Sequence, residues 1–134
     1  MKKRVTGIGG VFFKGNSSDQ SKAWYEKHLG IPNEEYGHTF MWKDFTNPNL
    51  VGRTVWYVAD DYFEKDNKQT FMINYRVENL EELLKTLKNE GVKIVGELKE
   101  YPYGKFAHIL DLDGNKVELW EPVAEEEMNK ITNF

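Results

Sequence analysis

Short apolar runs alternate with polar breaks along this chain, and the whole pattern occurs twice. Gly7-Ile-Gly-Gly-Val-Phe-Phe-Lys14 is aromatic and β-branched with no helical period, which predicts a strand. The polar break Asn16-Ser-Ser-Asp19 supplies an N-cap, a helix over Gln20 to His28 comes next, and Gly30 is a natural left-handed stop. In the second half Thr70-Phe-Met-Ile-Asn-Tyr-Arg-Val77 predicts another strand. Asn79 caps a helix with Glu82 three residues on, Leu80, Leu83, Leu84 and Leu87 form its apolar stripe, and Gly91 ends it. Further strands are expected at Asn33 to Tyr36, His38 to Lys43 and Arg53 to Ala59, then at Val92 to Leu98, Lys105 to Leu110 and Lys116 to Glu121. Asp113-Gly114 signals a two-residue hairpin between the last two. The pattern is βαβββ twice, joined by a polar connector from Asp60 to Gln69.

Strands dominate after each helix, so the expected fold class is α+β: mostly antiparallel curved sheets around a cavity, with the helices on the outer face. A chain of 134 residues suits one domain, with module one at about 5–59, module two at about 70–122 and a C-terminal tail at 123–134 that reads as a short surface helix. The absence of cysteine excludes a disulfide framework, a thiol nucleophile, an iron–sulfur cluster and thiolate zinc. Lys+Arg 18 against Asp+Glu 22 gives net charge −4 without a long run of either sign, which argues against a nucleic-acid partner. No apolar stretch reaches membrane-spanning length, so no membrane partner is expected. Met1-Lys2-Lys3-Arg4 is basic, but three glycines and a lysine break up the apolar run from Val5 onward and no cleavage site is seen, so the reading is cytoplasmic.

The duplicated pattern, with Trp24-Tyr25-x3-Leu29-Gly30 and Asp111-x-Asp-Gly-Asn-x-Val-Glu-Leu-Trp120, resembles the vicinal oxygen chelate superfamily. That superfamily includes glyoxalase I, the fosfomycin and bleomycin resistance proteins, and the extradiol dioxygenases. The likeness spans roughly residues 5 to 122, with Leu112 where the family usually has proline. It implies a divalent metal held by four side chains, usually His or Glu, one from the first and one from the last strand of each half. Here those positions fall on Gly10, Met72, Trp56 (Tyr57 if the register shifts by one) and Glu118. Only Glu118 suits a hard or borderline divalent ion, so the expectation is a degenerate metal site with no metal and no other cofactor.

Strand alternation collects a candidate ligand pocket from Phe12, Trp56, Met72, Asn74, Arg76, Phe106, His108, Glu118 and Trp120, because the small Ala107 suits packing under a helix and turns its neighbours inward. Each residue has a plainer role too. The tryptophans read equally as core, Glu118 as an ion-pair partner of Arg76 or Lys116, and His108 as a satisfied structural histidine. Two functions are compatible with this pocket. One is a metal-free binding module for a small molecule, in the manner the resemblance to bleomycin-resistance proteins implies, with aromatic stacking and Glu118 meeting positive charge. The alternative is a metal-independent lyase, isomerase or hydrolase in which Glu118 and His108 form a catalytic acid–base pair on a small carbonyl or hydroxy acid and Arg76 holds its carboxylate. Open strand edges predict a homodimer.

Overall fold

The computed structural model describes residues 3–59 and 68–131, and seven strands and three helices occur among them. They are β1 (Val5–Lys14), α1 (Ser18–Leu29), β2 (His38–Lys43), β3 (Val51–Ala59), β4 (Phe71–Val77), α2 (Leu80–Asn89), β5 (Ile94–Tyr101), β6 (Gly104–Leu110), β7 (Lys116–Pro122) and α3 (Glu125–Met128). Most of the connector expected at Asp60 to Gln69 lies outside the described residues, as do the last three residues of the tail. The chain divides into two compact units, one made of Gly10–Ile73 and the other of Met1–Gly9 with Asn74–Phe134.

In the Gly10–Ile73 unit, β3 runs antiparallel to β2 and parallel to β1. Helix α1 starts where Ser17 Oγ accepts a bond from the Gln20 amide, and it ends at Gly30, whose φ of 71° is the left-handed conformation glycine adopts without strain. Tyr25 of α1 packs edge-on against Phe13 at 5.8 Å and Trp56 at 4.9 Å. In register Val11 pairs with Trp56 and Phe12 with Tyr57, so alternation sets Phe12 and Trp56 on opposite faces. The strand expected at Asn33 to Tyr36 does not form. Pro32 has no N–H to give a ladder, and the Glu34 amide bonds back to Pro32 O while the Gly37 amide bonds to Glu34 O, closing turns instead.

The other unit carries a more regular scaffold. β4 runs parallel to β7, which runs antiparallel to β6, which pairs with β5 across an irregularity between Val95 and Lys99. Helix α2 begins at Asn79, whose Oδ1 accepts from the Glu82 amide, while the Leu80 amide donates to Glu121 Oε1 of β7 at 2.8 Å. Leu80 is buried with Val77, Ala107 and Leu119, and Leu83, Leu84 and Leu87 pack against that cluster. At roughly 1.5–3 kcal/mol for each fully buried leucine, this stripe is what fixes α2 to the sheet. Because Ala107 and Leu119 face α2, their neighbours Phe106, His108, Glu118 and Trp120 face the other way. The β6–β7 connection is longer than a two-residue turn: Asp111 Oδ1 accepts from the amides of Asp113 and Asn115, and Gly114 sits at φ 85°. No helix among the described residues is long and apolar enough to cross a membrane.

Candidate functional site

Three neighbouring strands place three polar side chains in one row. Asn74 on β4 stands opposite Glu118 on β7, and Glu118 stands opposite His108 on β6. Asn74 Nδ2 donates to Glu118 Oε1 at 2.7 Å, and His108 Nε2 lies 2.8 Å from Glu118 Oε2. Asn74 is 1% exposed and Glu118 4%, whereas the His108 side chain is 24% exposed. A carboxylate that deep needs compensation, and an amide and an imidazole of the row supply part of it. Arg76 donates from Nε to Thr6 Oγ1 at 2.9 Å and from Nη2 to Thr6 O at 3.3 Å.

A second row of the same register, Arg76, Trp120 and Phe106, lies beside the first. The Phe106 and Trp120 rings stack at 5.9 Å, and Tyr101 and Tyr103 stack at 5.5 Å with their edges against Phe106. Trp120 is anchored by Nε1 donating to Tyr103 O at 3.0 Å. Burial pushes the Tyr103 phenol above its ordinary range, and negative charge on Tyr101 and Glu118 adds to the rise. The phenol therefore lies within electrostatic reach of the polar row. Tyr101, Tyr103 and Thr6 are absent from the sequence-level inventory. Only the aromatic turn Tyr101-Pro-Tyr-Gly104, beside a strand already singled out, points to the tyrosines in advance.

Gly9 explains how closely the row is packed. A Cβ built there would meet Asn74 Oδ1 at 2.3 Å and Trp120 Cε3 at 2.7 Å. The Asn74 carbonyl, buried and without a hydrogen-bond partner, thus rests on the Gly9 backbone. Of the other expected pocket residues, Phe12 and Met72 are buried in the Gly10–Ile73 unit and Trp56 sits against Tyr25 and Phe13. Asn74, two positions beyond Met72, is the β4 residue that meets Glu118.

Residues 15–119 match the family described as the Glyoxalase/Bleomycin resistance protein/Dioxygenase superfamily. The chain belongs to this superfamily. No curated protein sequence gives a significant match. Methylmalonyl-CoA epimerase from Mycobacterium tuberculosis has a similar structure, with TM-score 0.61 at 19% identity, over 96% of this chain and 95% of that one. A variant of the Streptomyces coelicolor methylmalonyl-CoA epimerase, in complex with 2-nitronate-propionyl-CoA, gives TM-score 0.66 at 15% identity, over 90% of this chain and 99% of that one. A Legionella pneumophila structure titled NAD-dependent benzaldehyde dehydrogenase gives TM-score 0.55 at 13% identity, over 84% and 97%. At these identities the likeness is one of fold.

The superfamily's divalent metal does not fit the residues present here. No group of three His, Cys, Asp or Glu side chains suited to a metal occurs among the described residues. The one carboxylate of the row receives an amide N–H on one oxygen and faces a ring nitrogen with the other, an arrangement that presents hydrogens to Glu118 where a cation would need lone pairs.

Proposed function

We propose that this superfamily member is a cytoplasmic small-molecule-binding protein that takes its ligand, without a divalent metal, on the sheet face carrying Asn74, Glu118, His108 and the Phe106–Trp120 stack. The observation that carries the reading is the pair of short contacts to Glu118, 2.7 Å from Asn74 and 2.8 Å from His108. They make the carboxylate a hydrogen-bond anchor within the protein and leave the histidine as the most exposed of the three residues in the row. Titrating the purified protein with zinc, nickel and manganese, with and without chelator, tests the metal-free part. The expected result is no stoichiometric binding and an unchanged melting temperature; one tightly held ion per chain would refute it. A ligand screen read by tryptophan fluorescence tests the binding part, with Trp120 as reporter.

His108 favours a second reading, metal-independent acid–base catalysis. Its ring has one nitrogen on Glu118, the other has no hydrogen-bond partner among the described residues, and the side chain is partly open. That is the arrangement by which a carboxylate holds a general-base histidine in place. The epimerase neighbours share the fold and lend no substrate.

We also propose a homodimer formed through β2. This strand ends its ladder with Phe40 and Met41 exposed at 45% and 58%, and its pairing with β3 is unbroken. β5, an edge strand of the other unit, carries exposed Glu97, Lys99 and Glu100 and an irregular register, features that discourage pairing. Sedimentation should give twice the 15.7 kDa chain mass, and Phe40→Lys should halve it.

A further inference from the structure

We propose that His108 Nδ1 is the reactive atom of this site, kept as a lone pair by a relay in which Asn74 orients Glu118 and Glu118 orients the imidazole. The proposal rests on the reading above, that this face takes a ligand without metal.

The chain of constraint starts at Gly9. Asn74 Oδ1 lies against that backbone, so the amide has only Nδ2 to offer Glu118, and it does so at 2.7 Å. A flipped amide would set a carbonyl against a carboxylate, two acceptors with no proton between them. With Oε1 fixed, Oε2 is turned to His108 Nε2 at 2.8 Å. An ionised carboxylate only accepts, so the proton must sit on Nε2, and a neutral imidazole carries just one. Nδ1 therefore keeps its lone pair. It has no hydrogen-bond partner among the described residues, on a side chain that is partly exposed.

The surroundings define what Nδ1 meets. A lone pair calls for a polarised N–H, O–H or C–H. The Glu118 charge behind the ring repels anions. The Phe106 ring, 13° from parallel with Trp120, offers a flat face two residues along the strand from His108, and the Tyr103 ring stands edge-on to it. The ligand class is a flat molecule, uncharged or cationic, with one polarised hydrogen. In the transfer that hydrogen leaves as a proton to form a new N–H bond at Nδ1, and its bonding pair stays on the ligand. The resulting imidazolium keeps its Nε2–H on Glu118, and the reverse step returns the proton. No electron changes hands with any other group.

Histidine-labelled protein at pH 8, above the ordinary imidazole range, allows a direct test by proton–nitrogen correlation NMR. His108 is expected as a single tautomer, protonated on Nε2 and bare on Nδ1; protonation of Nδ1 instead overturns the proposal without any variant being made. Glu118→Gln and Asn74→Leu, each checked for folding by circular dichroism, should lose that single-tautomer signature. Its persistence in both would show that the relay does not position the ring. Phenol and benzoate probe the ligand class: phenol should shift the Nδ1 resonance and benzoate should not. No response to phenol, or a response to benzoate alone, rejects the class. A metal ion that binds through Glu118 sinks the underlying reading, whereas a wrong tautomer in metal-free, ligand-binding protein sinks this proposal alone.

Discussion

The pairing of a first strand with a last strand in parallel occurs twice in this chain, and the two versions differ in kind. Where β4 meets β7 the paired residues are Asn74 and Glu118, an amide donating to a buried carboxylate. Where β1 meets β3 they are Gly10 with Val55 and Phe12 with Tyr57, with neither carboxylate nor imidazole. The hairpins, by contrast, share a device. Asp44 Oδ1 accepts the amides of Thr46 and Asn47 in the longer connection after β2, and Asp111 Oδ1 accepts those of Asp113 and Asn115 after β6. Scaffold devices recur in both halves while the hydrogen-bonded polar row occurs in one. A duplicated fold of this kind keeps its turns because each hairpin needs its own, whereas parallel strand pairing as such needs no polar row.

The largest expected effect separates two adjacent glycines, one in each unit. At Gly9 a methyl would meet Asn74 Oδ1 at 2.3 Å and the buried Trp120 ring at 2.7 Å, neither of which has room to move. Gly9→Ala should therefore cost about 3 kcal/mol, the upper end of ordinary overpacking. At Gly10 a methyl meets the tip of the Phe12 ring at 2.7 Å and Val55 O at 3.2 Å. A ring can tilt, so Gly10→Ala should cost about 1 kcal/mol. Urea midpoints of the two variants measure this directly. Equal costs would mean the polar row is no more tightly built than its apolar counterpart.

Next comes Glu118→Gln. The new amide must present a donor to either Asn74 Nδ2 or His108 Nε2–H, so one buried donor loses its acceptor, at about 1–3 kcal/mol. Asn74→Leu removes the same bond from the other side. A double-mutant cycle should show coupling of about 1 kcal/mol between the two positions, because they share one contact. Additive losses would dissolve the row into independent core residues.

How much of this was legible beforehand divides along the same line. Helix α2 could be read from Leu80, Leu83, Leu84 and Leu87 because burial against one face imposes a period, and Asn79 with Glu82 marked its start. Ala107 correctly turned Phe106 and His108 away from α2, since a small residue on a strand marks the crowded side. Asn33 to Tyr36 misled, because the turn closed by Pro32 O and Glu34 O depends on local bonds that no alternation pattern carries. Trp56 misled differently: a tryptophan on a strand fits either face, and only the position of Tyr25 decides. The Asn74–Glu118 bond could not be read at all. Register between strands 44 residues apart is set by the folded sheet.

The smallest expected effect tests whether the shared hairpin device really is scaffold. Asp111 is held below the usual carboxylate range, chiefly by the Asn115 backbone amide, then by the Asn115 side chain and the amides of Asp113 and Gly114. A carboxyl whose folded value is depressed adds stability that is fully present above its unfolded value, near pH 3.9, and is lost as pH falls through the folded value. Asparagine can still accept those amides through its carbonyl, so Asp111→Asn removes the charge and keeps the turn. The variant should melt slightly below wild type at pH 7, and the gap should close as the solution is acidified below about pH 4. Asp44→Asn, whose side chain likewise accepts the amide two residues on, should show a comparably small loss at pH 7. Neither should alter the His108 tautomer, because a hairpin end carries strand geometry and not the proton. Thermal melts across pH, with the His108 NMR signal alongside, check both points. A tautomer change in Asp111→Asn alone would show that the turn of the second half has been drawn into its chemistry, and that the two hairpins are equivalent only in outline.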